Sequence, residues 1–338
     1  MQPYPIQFQP ILKPKVWGGR SLEALGKRLP ADVRIGESWE FADLPQLGEQ
    51  GQSVISTGEL QGLTLHQAIE RNFDSIMGDA RRSESTGGFP LLIKFLDAQE
   101  DLSVQVHPDQ AYAAAHAGSH LKSEMWVVIN AKPGAVIYKG IKPNVTAAEF
   151  AEHIRSGEVV RDLIAVPVQA GDAHYLPSGT CHALGAGVVV AEIQTPSDTT
   201  FRVYDWGRSG PGRELHIDQA LECIRFGPQP PIPHKPHKPI EVDGIRTTPL
   251  LSTDHFSVER VDALTNAEFR IVTSGLPEIW MMLAGSGRIL AQDVPMTDLS
   301  AGSTVLIPAA LNNARAQLRN GAWLLRVKLP SPLKGLIA

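Results

Sequence analysis

Apolar and polar positions alternate in short runs over most of this chain. In "DLSVQVHPDQAYA", residues 101 to 113, Leu102, Val104 and Val106 take one face of an extended segment, and Ser103, Gln105 and His107 the other. Pro108 then stops the strand. Val/Ile-rich runs bounded by Gly, Pro and Asp gather in two regions. The first, from Pro90 to Pro196, includes "PLLIKFLDA", "EMWVVINA", "AVIYKG" and "GVVVAEIQTP"; the second, from His255 onward, includes "HFSVERVDA", "EIWMMLAGSGRIL" and "AWLLRVKL". Short strands spaced by roughly 8 to 12 residues predict antiparallel sandwiches or barrels, and two clusters predict two β-units.

Helical spacing is scarce and peripheral. Thr64 caps a predicted helix over 64–77 that carries Leu65, Ala68, Ile69 and Phe73 on one side. Thr146 with Glu149 forms a capping box and predicts a helix to about Ser156. Two more are predicted over 216–224 and over 108–118, the latter closed by Gly118. Six prolines in "PQPPIPHKPHKP", residues 228–239, predict a linker. On either side of it, "VQAGDAHYLPSGTCHAL" at 168–184 and "LSAGSTVLIPAALNNA" at 299–314 share Ala-Gly, a polar residue, an apolar strand and then Pro, a possible internal repeat. The first copy has His182 where the second has Asn or Ala, which places any site in the first.

Composition narrows the class. With 338 residues and 43% hydrophobic content the chain can bury one large core or two ordinary ones. A net charge of −5 offers no broad basic surface, so nucleic acid is not an expected partner, although a local basic pocket for a small anion is compatible with it. The opening segment lacks a basic-then-apolar leader and no run reaches the length of a membrane span, so a cytoplasmic protein without membrane contact is expected. Only Cys181 and Cys223 are present, too few for a disulfide framework or a thiolate metal knuckle. A bound metal would therefore take mainly nitrogen and oxygen ligands.

Such ligands can be named. Gln105 and His107, at i and i+2, project from one strand face; Glu124 opens the run "EMWVVI", and His182 follows a Gly-containing turn. Two imidazoles, a carboxylate and an amide oxygen make a mixed shell with room for a further ligand, compatible with zinc, iron, manganese or cobalt. A strand histidine is also commonly structural, and Glu124 equally fits a solvated strand-start charge.

The segments "LSVQVHPDQAYA", "KSEMWVVI", "GDAHYLPSGTCHAL" and "EIQTPSDTTFRVYDWGR", in that order, resemble the signature of type I mannose-6-phosphate isomerases, in particular the short bacterial form, within the cupin superfamily. "KPKVWGGRSLEALGK" and "IGESWEFAD" resemble that family's opening segments, and the likeness is close over about 1 to 225. The resemblance implies one zinc ion per chain on Gln105, His107, Glu124 and His182. It implies interconversion of mannose 6-phosphate and fructose 6-phosphate: the open-chain sugar loses a proton beside its carbonyl, passes through a cis-enediol and regains the proton on the next carbon. Arg202 is implied to stabilise the developing charge, with Lys122, Glu192 and Asp198 as candidate proton carriers and Lys94, Ser103 and Arg208 at the phosphate end.

The chain departs from the family in three places. Leu121 stands where longer forms have His, Phe201 where many short forms have Tyr, and His174 where an aromatic is usual. A metal-dependent cupin oxygenase or a non-catalytic sugar-phosphate-sensing cupin would share much of the ligand shell, but the oxygenase would not need Lys94 and Arg208, and a sensor commonly loses the ligands that are all kept here.

The expected architecture is mainly β: a metal-bearing cupin (jelly-roll) barrel over 90–225, a smaller metal-free cupin-like unit over 240–338 and a linker over 226–239. An N-terminal segment, 1–89, would pack its helix beside the pocket, with Gly36 to Trp39 at the rim.

Overall fold

The structure, a computed structural model, describes residues 2–228 and 238–330. Most of the proline-rich linker lies outside these residues. The N-terminal part contains β1 (Ile6–Gln9), β2 (Ile11–Gly19), β3 (Ile35–Phe41), β4 (Val54–Ile55), α1 (Leu65–Arg71) and α2 (Phe73–Ile76). The central part contains β5 (Leu92–Ala98), β6 (Val104–Val106), α3 (Gln110–Ala115), β7 (Glu124–Ala131), β8 (Val136–Ile141), α4 (Ala147–Ser156), β9 (Leu163–Pro167), β10 (Ala173–Leu176), β11 (His182–Leu184), β12 (Val188–Gln194), β13 (Phe201–Tyr204) and α5 (Ile217–Cys223). The C-terminal part contains β14 (Ile240–Val242), β15 (Ile245–Ser252), β16 (Ser257–Ala263), β17 (Ala267–Ile271), β18 (Glu278–Ala284), β19 (Ser286–Ala291), β20 (Thr297–Ser300), β21 (Thr304–Ile307), β22 (Ala314–Leu318) and β23 (Trp323–Lys328). Among the described residues no helix is long and apolar enough to cross a membrane.

These strands form four sheets in two facing pairs. In the first pair, β10-β7-β12-β5-β3-β2 faces β13-β6-β11-β8-β9; in the second, β14-β15-β16-β23-β18-β21-β1-β4 faces β17-β22-β19-β20. Leu96, Trp126, Val128, Ile137, Leu184 and Val190 fill the space inside the first pair, and Trp280, Met282, Ile289, Val305 and Leu324 that inside the second. Apart from β1, β4 and β13 the strand orders correspond, β7 to β18, β10 to β21, β11 to β22 and β12 to β23, which is the internal repeat expected from the Ala-Gly…Pro pattern. The outer faces of the two large sheets pack on each other through Phe95, Val127 and Ile193 from one and Phe256, Met281 and Val327 from the other.

The N-terminal segment does more than carry a helix. Its β2 and β3 extend the first large sheet through β3–β5 pairing, whereas β1 pairs with β21 of the second, Ile6 opposite Leu306. The helices differ in detail from expectation. Residues 64–77 form two short helices, because Asn72 leaves helical geometry (φ −140, ψ 42) and its side-chain amide donates to the Ala68 carbonyl, a local bond that competes with the helix. The helix after Pro108 starts on the Asp109 cap and ends before an extended His116, so Gly118 belongs to the following turn. The Thr146–Glu149 capping box and the helix to Ser156 are present as read.

Candidate metal centre and active site

Three short strands bring the candidate ligands together. His182 on β11 lies opposite Gln105 on β6, and β7 delivers Glu124 from the facing sheet. His107 Nε2 lies 3.4 Å from Glu124 Oε2 and His182 Nε2 lies 3.1 Å from Glu124 Oε1. Ligand atoms of these residues all fall within 4.8 Å of one another, the one such His/Cys/Asp/Glu group found among the described residues. All three side chains are buried. Gln105 completes the cluster, its amide nitrogen 3.5 Å from His182 Nε2 and its oxygen accepting from the Ser103 hydroxyl at 3.3 Å. Turning that amide would present its oxygen to the same point.

The surroundings suit a cation. Each imidazole uses Nδ1 on a backbone carbonyl, His107 on Thr199 at 3.0 Å and His182 on Thr180 at 2.8 Å. With Nδ1 donating, each Nε2 keeps its lone pair, the arrangement of a metal-ligating histidine. His107 Nε2 and Glu124 Oε1 are buried without a hydrogen-bond partner and Glu124 Oε2 has only the Lys122 ammonium beside it, an arrangement that a bound cation would complete. Burial and then the nearby Lys122 charge push His107 down to about 3, so it is neutral and able to ligate. Burial opposes the charge on Glu124, but Lys122 and the two histidines outweigh it and hold the carboxyl well below its ordinary range. Lys122 Nζ sits 3.0 Å from Glu124 Oε2 and is itself buried.

On the large sheet beside this centre, the inward row Trp126, Glu192, Lys94 and Trp39 runs across β7, β12, β5 and β3. Trp126 joins the two groups, since its indole donates to Glu192 at 2.9 Å and packs edge-on against His182 at 5.4 Å. Lys94 Nζ lies 3.1 Å from Glu192 and 3.9 Å from Glu37. Burial works against the charges of this row, but mutual attraction prevails: Lys94 is raised by Glu192, Glu37 and Asp198, and Glu37 is held down at about 2 by Lys94 and Lys15. Asp198 itself is exposed on the loop after β12.

On the small sheet, Arg202 of β13 stands opposite Gln105. Its Nη1 donates to the carbonyls of Gly212 and Glu214, and its Nε lies 4.0 Å from the buried carboxylate of Asp205. Arg208 donates to the same carboxylate at 2.9 Å and to the Asp101 carbonyl at 2.6 Å.

Comparison with known proteins settles the family. The family described as phosphomannose isomerase type I, catalytic domain, matches residues 6–146. The mannose-6-phosphate isomerase ManA of Bacillus subtilis is 34% identical over 320 residues, covering 93% of this chain and 96% of that protein. The chain belongs to the type I mannose-6-phosphate isomerase family. The mannose-6-phosphate isomerase of Streptococcus mutans is likewise 34% identical, over 91% of this chain. The crystal structure of the mannose 6-phosphate isomerase from Bacillus subtilis superimposes with a TM-score of 0.82 at 30% identity, covering 96% of this chain and 99% of that one.

Within this isomerase fold the expected residues fall into linked groups. Gln105, His107, Glu124, His182 and Lys122 converge; Ser103, Arg202 and Arg208 lie along β6 and β13; Lys94 and Glu192 pair on the facing sheet, with the Asp198 charge acting on Lys94. Asp205 was not singled out by sequence. Nothing in a single loop aspartate such as Asp205, within "DWGR", marks it as the counter-ion of several arginines. The second unit carries a counterpart of Glu124. Glu278 pairs with Ile307 ahead of Pro308 as Glu124 pairs with Leu176 ahead of Pro177. It accepts a hydrogen bond from Trp280 at 2.8 Å, and its neighbours Arg326 and Lys328 pair with Glu259 at 2.5 and 3.0 Å, so ionic groups surround it in place of histidines.

Proposed function

We propose that this protein is an aldose–ketose isomerase that interconverts mannose 6-phosphate and fructose 6-phosphate with a zinc ion held by Gln105, His107, Glu124 and His182. The carrying observation is the buried His107–Glu124–His182 cluster with unsatisfied ligand atoms, in a chain that matches named isomerases along nearly its whole length. When bound, a divalent ion there polarises a sugar oxygen and favours loss of the neighbouring C–H proton.

The remaining work falls to the chain's own residues. Lys122 is the proton carrier: its buried ammonium lies 3.0 Å from the ligand carboxylate of Glu124, at the centre where the sugar oxygens would bind. Glu192, held by both Lys94 and the Trp126 indole, orients hydroxyl groups. Asp198, exposed on its loop, reinforces the charge of Lys94. The Arg202 guanidinium, whose buried Nε has no partner, balances the negative charge that develops on the sugar oxygens. Ser103 and Arg208 hold the phosphate end, with Lys94 facing them from the other sheet.

The test is conversion of mannose 6-phosphate by purified protein, with metal content measured on the same sample before and after chelation. Turnover that needs one equivalent of zinc and disappears on chelation is expected. Metal-loaded, folded protein that converts nothing would overturn the reading.

A further inference from the structure

The loop between β13 and α5 gathers more positive charge than the motifs required. Arg202, Arg208 and Arg213 all approach Asp205, whose side chain is 2% exposed. Arg213 Nη2 donates to its Oδ1 at 2.5 Å and Arg208 Nη2 at 2.9 Å, while Arg202 Nε lies 4.0 Å from Oδ2. Three guanidinium groups around one buried carboxylate leave a surplus of about two positive charges, because arginine stays charged at any ordinary pH. Glu100 comes within 3.8 Å of Arg208 but is half-exposed and already paired with Arg34 at 2.7 Å. Glu214 lies in solvent, where its charge is screened.

The donors are incompletely used. Arg202 Nε and Arg213 Nε are buried and have no hydrogen-bond partner. A buried N–H without an acceptor is costly, and a water molecule could accept from one of them without cancelling the surplus charge. The loop is also held against the segment that leads into β6. The Trp206 indole donates to the Leu102 carbonyl at 2.7 Å and Arg208 to the Asp101 carbonyl at 2.6 Å, so Arg208 is tied to the two residues that precede Ser103, and Asp205 holds Arg202 and Arg213 to it. Trp206 keeps a left-handed backbone (φ 54) to make this turn, a conformation that persists only where surrounding contacts impose it.

We propose that Arg213 is a phosphate-binding residue, completing with Arg208 the seat of a phosphate monoester dianion, while Arg202, gathered on the same Asp205, faces the sugar oxygens. Asp205 supplies the anchor that keeps mutually repelling guanidinium groups together. The sugar attached to that phosphate rests on the isomerase reading above; the anion seat does not.

The experiment titrates inorganic phosphate by calorimetry into metal-loaded wild type, Arg213→Ala, Arg213→Lys and the remote control Arg315→Ala, and measures steady-state kinetics with mannose 6-phosphate on each. For Arg213→Ala, phosphate affinity falls and KM rises by roughly tenfold or more, the size expected for loss of a buried charge-assisted contact, while kcat changes by less than about threefold. Metal content stays at the wild-type level. Arg213→Lys recovers part of the loss, because it restores charge without the planar fork, and Arg315→Ala behaves as wild type. Phosphate affinity and KM within about twofold of wild type in folded Arg213→Ala, or a loss confined to kcat, would overturn the proposal. Should the alanine variant not fold, Arg213→Gln, which keeps a donor for Asp205 but no charge, is read by the same criteria. Wild type that binds phosphate through Arg213 without isomerising the sugar retains the seat and overturns the isomerase reading. Wild type that turns over but binds phosphate independently of Arg213 overturns the seat alone, and wild type that does neither overturns both.

Discussion

At His107 the two ring nitrogens have separate tasks: Nδ1 donates to the Thr199 carbonyl, which fixes the ring and leaves Nε2 free toward Glu124. His107→Ala is expected to lose the metal and to reduce turnover by a factor on the order of a thousand or more, with metal analysis separating ligand loss from unfolding. Glu37 gives a pH-dependent prediction. Its carboxyl sits at about 2 in the folded protein, below the roughly 4.3 of an unfolded glutamate, so the unfolded chain binds the proton more readily. Its stabilising contribution is complete above about pH 5 and is lost as pH falls toward 2. Denaturation midpoints measured from pH 6 to 3 should therefore fall less steeply in Glu37→Gln than in wild type, and equal slopes would contradict the assignment. The pairing behind this, Lys94 against both Glu37 and Glu192, joins residues that are far apart in sequence and meet only because β3, β5 and β12 are neighbours.

Among the elements, α4 is the most self-contained. Thr146 and Glu149 satisfy each other's backbone donors, and Gly157 ends the helix in a left-handed conformation (φ 78). Thr146→Ala should cost about 1 kcal/mol, visible as a lower melting temperature with unchanged KM and kcat, because the helix packs outside the five-stranded sheet, away from the metal centre. Such local signals are readable in sequence. The split at Asn72 was not, since the apolar spacing continues through it to Phe73 and only the side-chain bond to Ala68 decides the break. Strand β6 is similar: the alternating pattern suggested a longer strand, yet only Val104–Val106 pairs, as neighbouring strands accept just that stretch.

At the scale of the whole molecule, β1 ties the start of the chain to the second unit. Ile6 lies opposite Leu306 and Phe8 opposite Ile55, so the strand fills a gap between β21 and β4. Deleting residues 1–9 should expose the β21 edge and weaken the contact between the two large sheets. Calorimetry is expected to show a lower or divided thermal transition and light scattering to show association; an unchanged single transition would count against this coupling. The second unit, with an apolar interior around Trp280, buttresses the first through the shared layer that contains Phe256 and Val327.

Sequence by itself determined the class of the molecule and the chemistry it could hold. Strand alternation, the repeated Ala-Gly…Pro hairpin, the helix caps and the order of Gln105, His107, Glu124 and His182 are all local, set by side-chain period and by the bonds that near neighbours can make. Only the tertiary structure decided which charges meet. The Trp126 link between Glu192 and His182, the Lys94 pairs, the arginines on Asp205 and the union of β1 with β21 depend on strand order and register between distant segments. Sheet formation pairs strands across any sequence separation, so a charge's partner is fixed by the fold and not by its neighbours in the chain.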